Sequence, residues 1–131
     1  MIEVVCVIAI MGMCMTIPLN YFGAFQRIEN KRFIENFYQD TLSVRNASIC
    51  GNDSYLIFTE KEYRIYIDGK IDRQRHCPSQ LQLSTNMLQR MITFNNYGTP
   101  SYAGTIDFKT EKEKLSRLTI VPYTGRISLI L

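Results

Sequence analysis

The stretch that decides the fold lies at the start of the chain, where residues 1–25 read MIEVVCVIAIMGMCMTIPLNYFGAF. After residue 3, only Thr16, Pro18 and Asn20 interrupt a run of apolar residues and glycines. A helix that crosses the hydrocarbon core of a bilayer needs about 20 apolar residues, and this run is that long. It predicts a membrane-spanning helix.

Two other interpretations of the run stay open. A buried core helix this apolar on all sides would need a larger protein around it. A cleaved secretory signal would carry a basic residue before the apolar run, and the first basic residue is Arg27. Arg27, Lys31 and Arg32 would by themselves hold the following residues in the cytoplasm. Export of the residues after the apolar run conflicts with that orientation, so we expect sequence upstream of Met1 to be missing.

Length and charge limit the function classes. The chain has 131 residues, about one domain, with 15 basic and 12 acidic residues and a net charge of +3. That charge is too small to indicate a nucleic-acid-binding protein by itself. Glu3 is the single charge before Arg27, so an apolar head precedes a polar body.

The sequence offers no catalytic arrangement. His76 is the one histidine, which excludes a multi-histidine metal site. Cys77 follows it directly, but neighbouring residues on a strand point to opposite faces, which is poor geometry for a nucleophile and its base. With Cys50 the pair still offers too few ligands for a metal. We expect no enzyme activity and no cofactor.

Residues 2–12, IEVVCVIAIMG, resemble the N-terminal segment of type IV pilins and pseudopilins. In that family a leader ends in Gly, and the mature chain begins with an aromatic residue followed by Thr-Leu-Ile-Glu and an apolar run. Glu3 maps onto the family's glutamate, and Ala9 and Gly12 match the alanine and glycine that follow it. The leader and the first two mature residues are absent here. The resemblance therefore implies that this sequence begins two residues inside the mature chain, or that its start codon was misassigned.

The resemblance implies a role for Glu3 in filament assembly, where it would pair with the N-terminal amine of a neighbouring subunit. A carboxylate and an ammonium attract strongly in a low dielectric and are each costly alone, so the pair would set subunit register. Gly12 and Pro18 would belong to the helix core, with a kink at Pro18. The family's proline falls at the spacing of Asn20, two residues later.

The helical pattern continues beyond the apolar run, as an amphipathic helix to about residue 47 that Gly51 and the following polar residues end. A break into two helices at residues 18–23 is the alternative. We predict a transmembrane and filament-core half at 1–25, an amphipathic half at 26–49 and an extracytoplasmic β domain at 50–131. From residue 22 onward, the apolar residues that recur at mostly helical spacing are Phe22, Phe25, Ile28, Phe33, Phe37, Leu42 and Val44.

After the helix the apolar period becomes two, which is typical of strands, and Asp68-Gly69 predicts a hairpin turn. No alternation of strands with helices follows, which argues against a doubly wound enzyme fold. The predicted class is α+β and pilin-like: one long N-terminal helix, then an antiparallel β-sheet domain. The predicted strands are residues 55–58, 62–67, 70–74, 81–83, 90–94, 104–108, 118–121 and 126–130.

The C-terminal half is similar to minor pseudopilins, namely the H-type pseudopilin of type II secretion and the D-type pseudopilin of competence pili. The strand at 104–108, GTIDF, and the strand pair around residues 124–127 carry this similarity. It implies a structural subunit of a type IV pilus-like filament for DNA uptake or protein secretion. It also implies a methylated N terminus.

The implied partners are other pilins of the filament, the membrane, a prepilin peptidase, and an assembly platform with its ATPase. The implied location is the cytoplasmic membrane, with one pass and an extracytoplasmic body, and the cell surface after assembly. The alternative function is a membrane-anchored extracytoplasmic domain that binds DNA or a surface ligand.

Two of the four cysteines lie in the apolar N-terminal run and two lie in the polar part of the chain that follows. Cys6 and Cys14 lie in the apolar helix and are expected to pack as small hydrophobic residues. If the body faces an oxidising exterior, Cys50 and Cys77 can form a disulfide that closes a loop of about 27 residues and contributes roughly 3–4 kcal/mol. Two free thiols are the alternative.

The segment from Lys61 to His76 is rich in charge of both signs and predicts a solvated hairpin. DNA contact is the other interpretation, because phosphates attract clustered Lys and Arg, and Tyr63 and Tyr66 could stack on bases. The basic residues concerned are Lys61, Arg64, Lys70, Arg73 and Arg75.

Overall fold

A computed structural model gives the structure of the chain and describes residues 1–16 and 21–131. The chain divides into two compact units, Met1–Arg32 and Phe33–Leu131. One helix comes first and contributes to both units, and the strands all belong to the second unit. The elements of the described chain are α1 (Ile2–Ile49), β1 (Ser54–Phe58), β2 (Glu62–Ile67), β3 (Lys70–His76), β4 (Gln82–Thr85), β5 (Met91–Thr93), β6 (Gly104–Lys109), β7 (Lys114–Ile120) and β8 (Ile127–Ile130).

The strands form two four-stranded antiparallel sheets. Sheet A has the order β3-β2-β1-β5, and sheet B has the order β4-β6-β7-β8. Asp68 and Gly69 connect β2 to β3 with φ values of 51° and 78°. Two positive φ values match the twist of a two-residue hairpin, which confirms the predicted turn. The predicted layout of one long helix followed by antiparallel sheets is also confirmed.

The end of the helix is joined to the start of sheet A. The amide of Gly51, whose φ is 95°, donates to Ser48 O, and the amide of Asn52 donates to Ala47 O. This is the Schellman arrangement, in which a left-handed residue satisfies the last helical carbonyls. The Ser54 hydroxyl, at the first residue of β1, then donates to Val44 O at 2.9 Å. The sheet therefore begins against the last turns of the helix.

Phe37 lies at the centre of the core of the second unit and is fully buried. Its ring makes edge-to-face contacts with Tyr63 at 4.9 Å, Phe108 at 5.4 Å and Phe58 at 6.1 Å between centroids. Tyr63 and Phe58 come from sheet A, whereas Phe108 comes from sheet B. One helix side chain therefore contacts both sheets. The buried helix positions of the second unit follow a helical spacing: Phe33, Ile34, Phe37, Asp40, Thr41, Val44 and Ser48.

We expect Phe37→Ala to lower the free energy of unfolding by about 3–5 kcal/mol, because it removes a buried ring and leaves a cavity between two sheets. Denaturant unfolding of the full chain in detergent, followed by circular dichroism, measures the change. Tyr97→Ala is the matched control, since that ring is 90% exposed, and it should change stability by about 0.5 kcal/mol or less. Equal effects of the two substitutions would contradict the central role of Phe37.

Candidate functional site

The first unit presents an apolar helical surface. Every side chain from Met1 to Thr16 is exposed, including Ile2, Val5 and Met13 at 65–81%. The helix that begins here is long and apolar enough to cross a membrane, judged by length and composition. An exposed apolar surface of this size needs a membrane or other apolar surfaces around it, so it marks a contact region.

The residues predicted for assembly lie on this surface. Glu3 is exposed in the first turn of the helix. A Cβ atom added at Gly12 would meet no other heavy atom within 4 Å beyond its own stretch of helix. Gly12 is therefore not needed for packing inside the chain. Pro18, the predicted kink, lies outside the described residues.

The second unit contains a buried carboxylate. The side chain of Asp40 is 3% exposed. Its Oδ2 accepts hydrogen bonds from the Tyr63 hydroxyl at 2.6 Å and from Arg75 Nε at 3.1 Å, and its Oδ1 accepts one from Arg73 Nη1. A buried charge is tolerated only when it is paired and hydrogen-bonded, and here both oxygens have donors. We call these four side chains the Asp40 cluster.

The pairing of β2 with β3 explains the geometry of the Asp40 cluster. Tyr63 lies opposite Arg75, and Ile65 lies opposite Arg73, so both arginines are on the face of sheet A that meets the helix. Burial, and then the hydrogen bond to Asp40, raise the pKa of Tyr63, so its phenol stays protonated and donates. The arginines are 38–45% exposed, and their stems cross from the edge strand to the helix.

The structure separates the five basic residues that were grouped as a candidate DNA contact. Arg73 and Arg75 belong to the Asp40 cluster on the inner face of sheet A. Arg64 lies on the outer face, where its Nη2 binds Glu62 Oε1 at 2.8 Å. Lys61 and Lys70 are exposed at opposite ends of β2. Tyr63, one of the two rings suggested for base stacking, is fully buried.

Cys50 and Cys77 are free thiols in the structure. Cys50 follows the helix, near Ser54, which pairs with Ile67 at one end of β2. The amide of Cys77 donates to Lys61 O at the other end of β2. The structure therefore does not bring together the two cysteines for which a disulfide was predicted. Cys6 and Cys14 are exposed on the apolar helix and are also free thiols.

The sequence analysis did not single out Asp40 within the amphipathic half of the helix. The signal was its spacing, because position 40 lies three residues after Phe37 and four before Val44, on the apolar face of the helix. A carboxylate on that face requires cations or donors from another element. The arginines of β3 and the phenol of β2 supply them.

Comparison with protein-family models, curated proteins and solved structures finds no match to this chain. Among the described residues, no group of three or more His, Cys, Asp or Glu side chains could hold a metal ion. The sites that the structure offers are therefore the exposed apolar helix with Glu3 and the surfaces of the two sheets.

We expect Tyr63→Phe to destabilise the chain by about 1.5–3 kcal/mol, because it removes a hydrogen bond to a buried charge while keeping the ring. Tyr55→Phe is the matched control, since Tyr55 is stacked on the outer face of the same sheet, and should cost little. Thermal unfolding of the full chain in detergent compares the two variants. No loss with Tyr63→Phe would show that the phenol is not needed to hold Asp40.

We expect alkylation by iodoacetamide to be slower at Cys77 than at Cys50. Burial raises the pKa of the Cys77 thiol to about 11, so at pH 8 roughly one molecule in a thousand carries the reactive thiolate. The Cys77 rate should stay low at neutral pH and rise with pH towards 11. Cys50 is exposed. Peptide mass spectrometry quantifies each site, with denatured protein as the control in which the difference disappears.

An oxidised peptide that links Cys50 to Cys77 would contradict the placement of the two residues at opposite ends of β2. Equal alkylation rates in the folded protein would contradict the burial of Cys77.

Proposed function

We propose that this chain is a minor pilin or pseudopilin, a structural subunit of a type IV pilus-like filament for DNA uptake or type II protein secretion. The observation that carries the proposal is Glu3, a lone carboxylate in the first turn of an exposed apolar helix. The α+β body that follows the helix in sequence is the second support.

The physical argument begins with the helix surface. A bilayer or a bundle of apolar helices would satisfy the exposed side chains between Val4 and Thr16. Neither environment satisfies Glu3, because a carboxylate within or beside hydrocarbon costs several kcal/mol. A cation from another molecule would remove that cost. A filament in which the N-terminal amine of one subunit meets Glu3 of the next supplies the cation and sets the register.

Gly12 supports the same arrangement. Small residues let helices approach closely where no hydrophobic force drives their association. The open space around Gly12 within the chain leaves this surface for another helix. In the proposed filament the helices pack in the core, and the body of residues 33–131 lies on the outside.

The other parts of the proposal follow from the resemblance of residues 2–12 to pilins. Before assembly the chain spans the cytoplasmic membrane once, with the body outside. A prepilin peptidase processes its N terminus, and an assembly platform with its ATPase moves it into the filament beside other pilins. We infer no enzyme activity for the chain itself.

We expect Glu3→Ala to leave membrane insertion unchanged and to reduce entry into filaments by about a hundred-fold or more, because breaking a buried ion pair costs roughly 3–5 kcal/mol. Immunoblots of the membrane fraction and of sheared surface filaments measure the two steps separately. Glu29→Ala is the matched control, because it removes an exposed carboxylate from the same helix outside the apolar run.

If Glu3→Ala enters filaments normally, the role of Glu3 in assembly is wrong. If no filament contains the chain, a simple membrane-anchored binding domain becomes the better account. The N terminus of the native protein gives an independent test by intact mass. The pilin proposal predicts a methylated aromatic residue two positions before Met1 with no leader, whereas an unprocessed chain starting at Met1 would contradict it.

A further inference from the structure

The helix carries both aromatic and basic side chains where its apolar run ends. Tyr21, Phe22 and Phe25 are 64–69% exposed, and Ile28 is 52% exposed. Between residues 21 and 32 there are three basic residues and one acidic residue, Glu29. Aromatic and basic side chains concentrate where a spanning helix leaves the hydrocarbon core and enters the headgroup layer. This stretch therefore has the chemistry of a membrane interface.

Four of these side chains share one face of the helix. Spacings of four, three and four residues place them in a single stripe along the helix axis. We call them the interfacial stripe: Tyr21, Phe25, Ile28 and Arg32. Asn30 lies on the opposite side and is 6% exposed, and Gln26 is half-buried. The stripe is therefore on an exposed side of this stretch, whereas these two polar side chains are shielded.

The length of the apolar run sets the depth of the stripe in a bilayer. A helix from Val4 to Phe25 is about 33 Å long, and the hydrocarbon core is about 30 Å thick. When Glu3 lies at one boundary of the core, Phe25 reaches the other. Arg27 then lies about 3 Å and Arg32 about 10 Å beyond Phe25. Arginine side chains are long enough to reach lipid phosphates from both depths.

The two arginines decide between a lipid surface and another apolar helix as the occupant of the stripe. Arg27 and Arg32 are exposed. Among the residues that the structure describes, neither forms an ion pair with a carboxylate. A second apolar helix would cover the rings and leave both cations without counter-ions. A phosphate accepts two parallel hydrogen bonds from a guanidinium, so a headgroup layer satisfies the rings and the cations together.

We propose that residues 21–32 bind anionic phospholipids, with the interfacial stripe against the headgroup layer and the guanidinium groups of Arg27 and Arg32 on lipid phosphates. The surface is continuous with the apolar run, which is long enough to cross a membrane. The inference rests on the membrane-spanning part of the proposed function. It does not depend on Glu3 or on filament assembly.

The first test uses fluorescence, because the chain contains no tryptophan and a single substitution gives it one reporter. Phe25→Trp places the reporter on the stripe, and Gln26→Trp, the matched control, places it on the shielded side. Each full-length variant is reconstituted into nanodiscs whose phospholipids carry bromine, a quencher, on the upper part of the acyl chains. We expect quenching at least about three-fold stronger for Phe25→Trp than for Gln26→Trp.

The second test measures the preference for anionic lipid in mixed nanodiscs of phosphatidylglycerol and phosphatidylcholine. With bromine on phosphatidylglycerol alone, quenching of the Phe25→Trp variant should exceed that with bromine on phosphatidylcholine alone. At low salt the preference should reach up to about five-fold for each arginine. Arg27→Gln with Arg32→Gln should remove it. Lys109→Gln with Lys112→Gln is the matched control, because it removes the same charge from exposed lysines of the body and should leave the preference intact.

Co-elution of the chain with the nanodiscs separates this inference from the proposed function. A chain that does not co-elute would overturn both the membrane-spanning part of the proposed function and the lipid site. A chain that inserts overturns the lipid site alone if Phe25→Trp and Gln26→Trp are quenched equally, or if neither is quenched. Equal quenching by the two lipids, or a preference that survives loss of both arginines, would overturn it as well.

Discussion

The packing of one helix side chain between two sheets is the constraint on which the body depends. Phe37 contacts rings from β1, β2 and β6, so the helix positions sheet A and sheet B with the same residue. Edge-to-face contacts hold rings in defined orientations as well as burying area. The sheets share no strand, because each forms its own four-stranded ladder. The aromatic group around Phe37 therefore supplies much of the connection between them.

One turn further along the helix, the same face carries a charge. Asp40 is almost as buried as Phe37, and three donors from sheet A compensate it. Apolar contacts tolerate small shifts, whereas a buried carboxylate loses much of its compensation when a donor moves by an ångström. The aromatic group therefore provides most of the burial, and the Asp40 cluster specifies how β2 and β3 sit on the helix.

Much of the layout could be predicted from local patterns. The strand positions follow the period of two, and the Asp68-Gly69 turn follows from the backbone conformations that these residues tolerate. β7 begins at Lys114, earlier than predicted, because charged residues at its start hide the alternation. The Asp40 cluster and the placement of Cys50 and Cys77 could not be predicted in this way. Both depend on which strand ends come together, and that is decided by tertiary pairing.

The arginines of β3 have a second consequence for the molecule. They neutralise a buried carboxylate on one side, and on the other they place charge along the open edge of sheet A. An open edge is a template for growth of a sheet from molecule to molecule. Arg73 and Arg75, which complete the interior of this body, thus also oppose the addition of a strand from another molecule at this edge. Solubility and folding are therefore coupled at the same two positions.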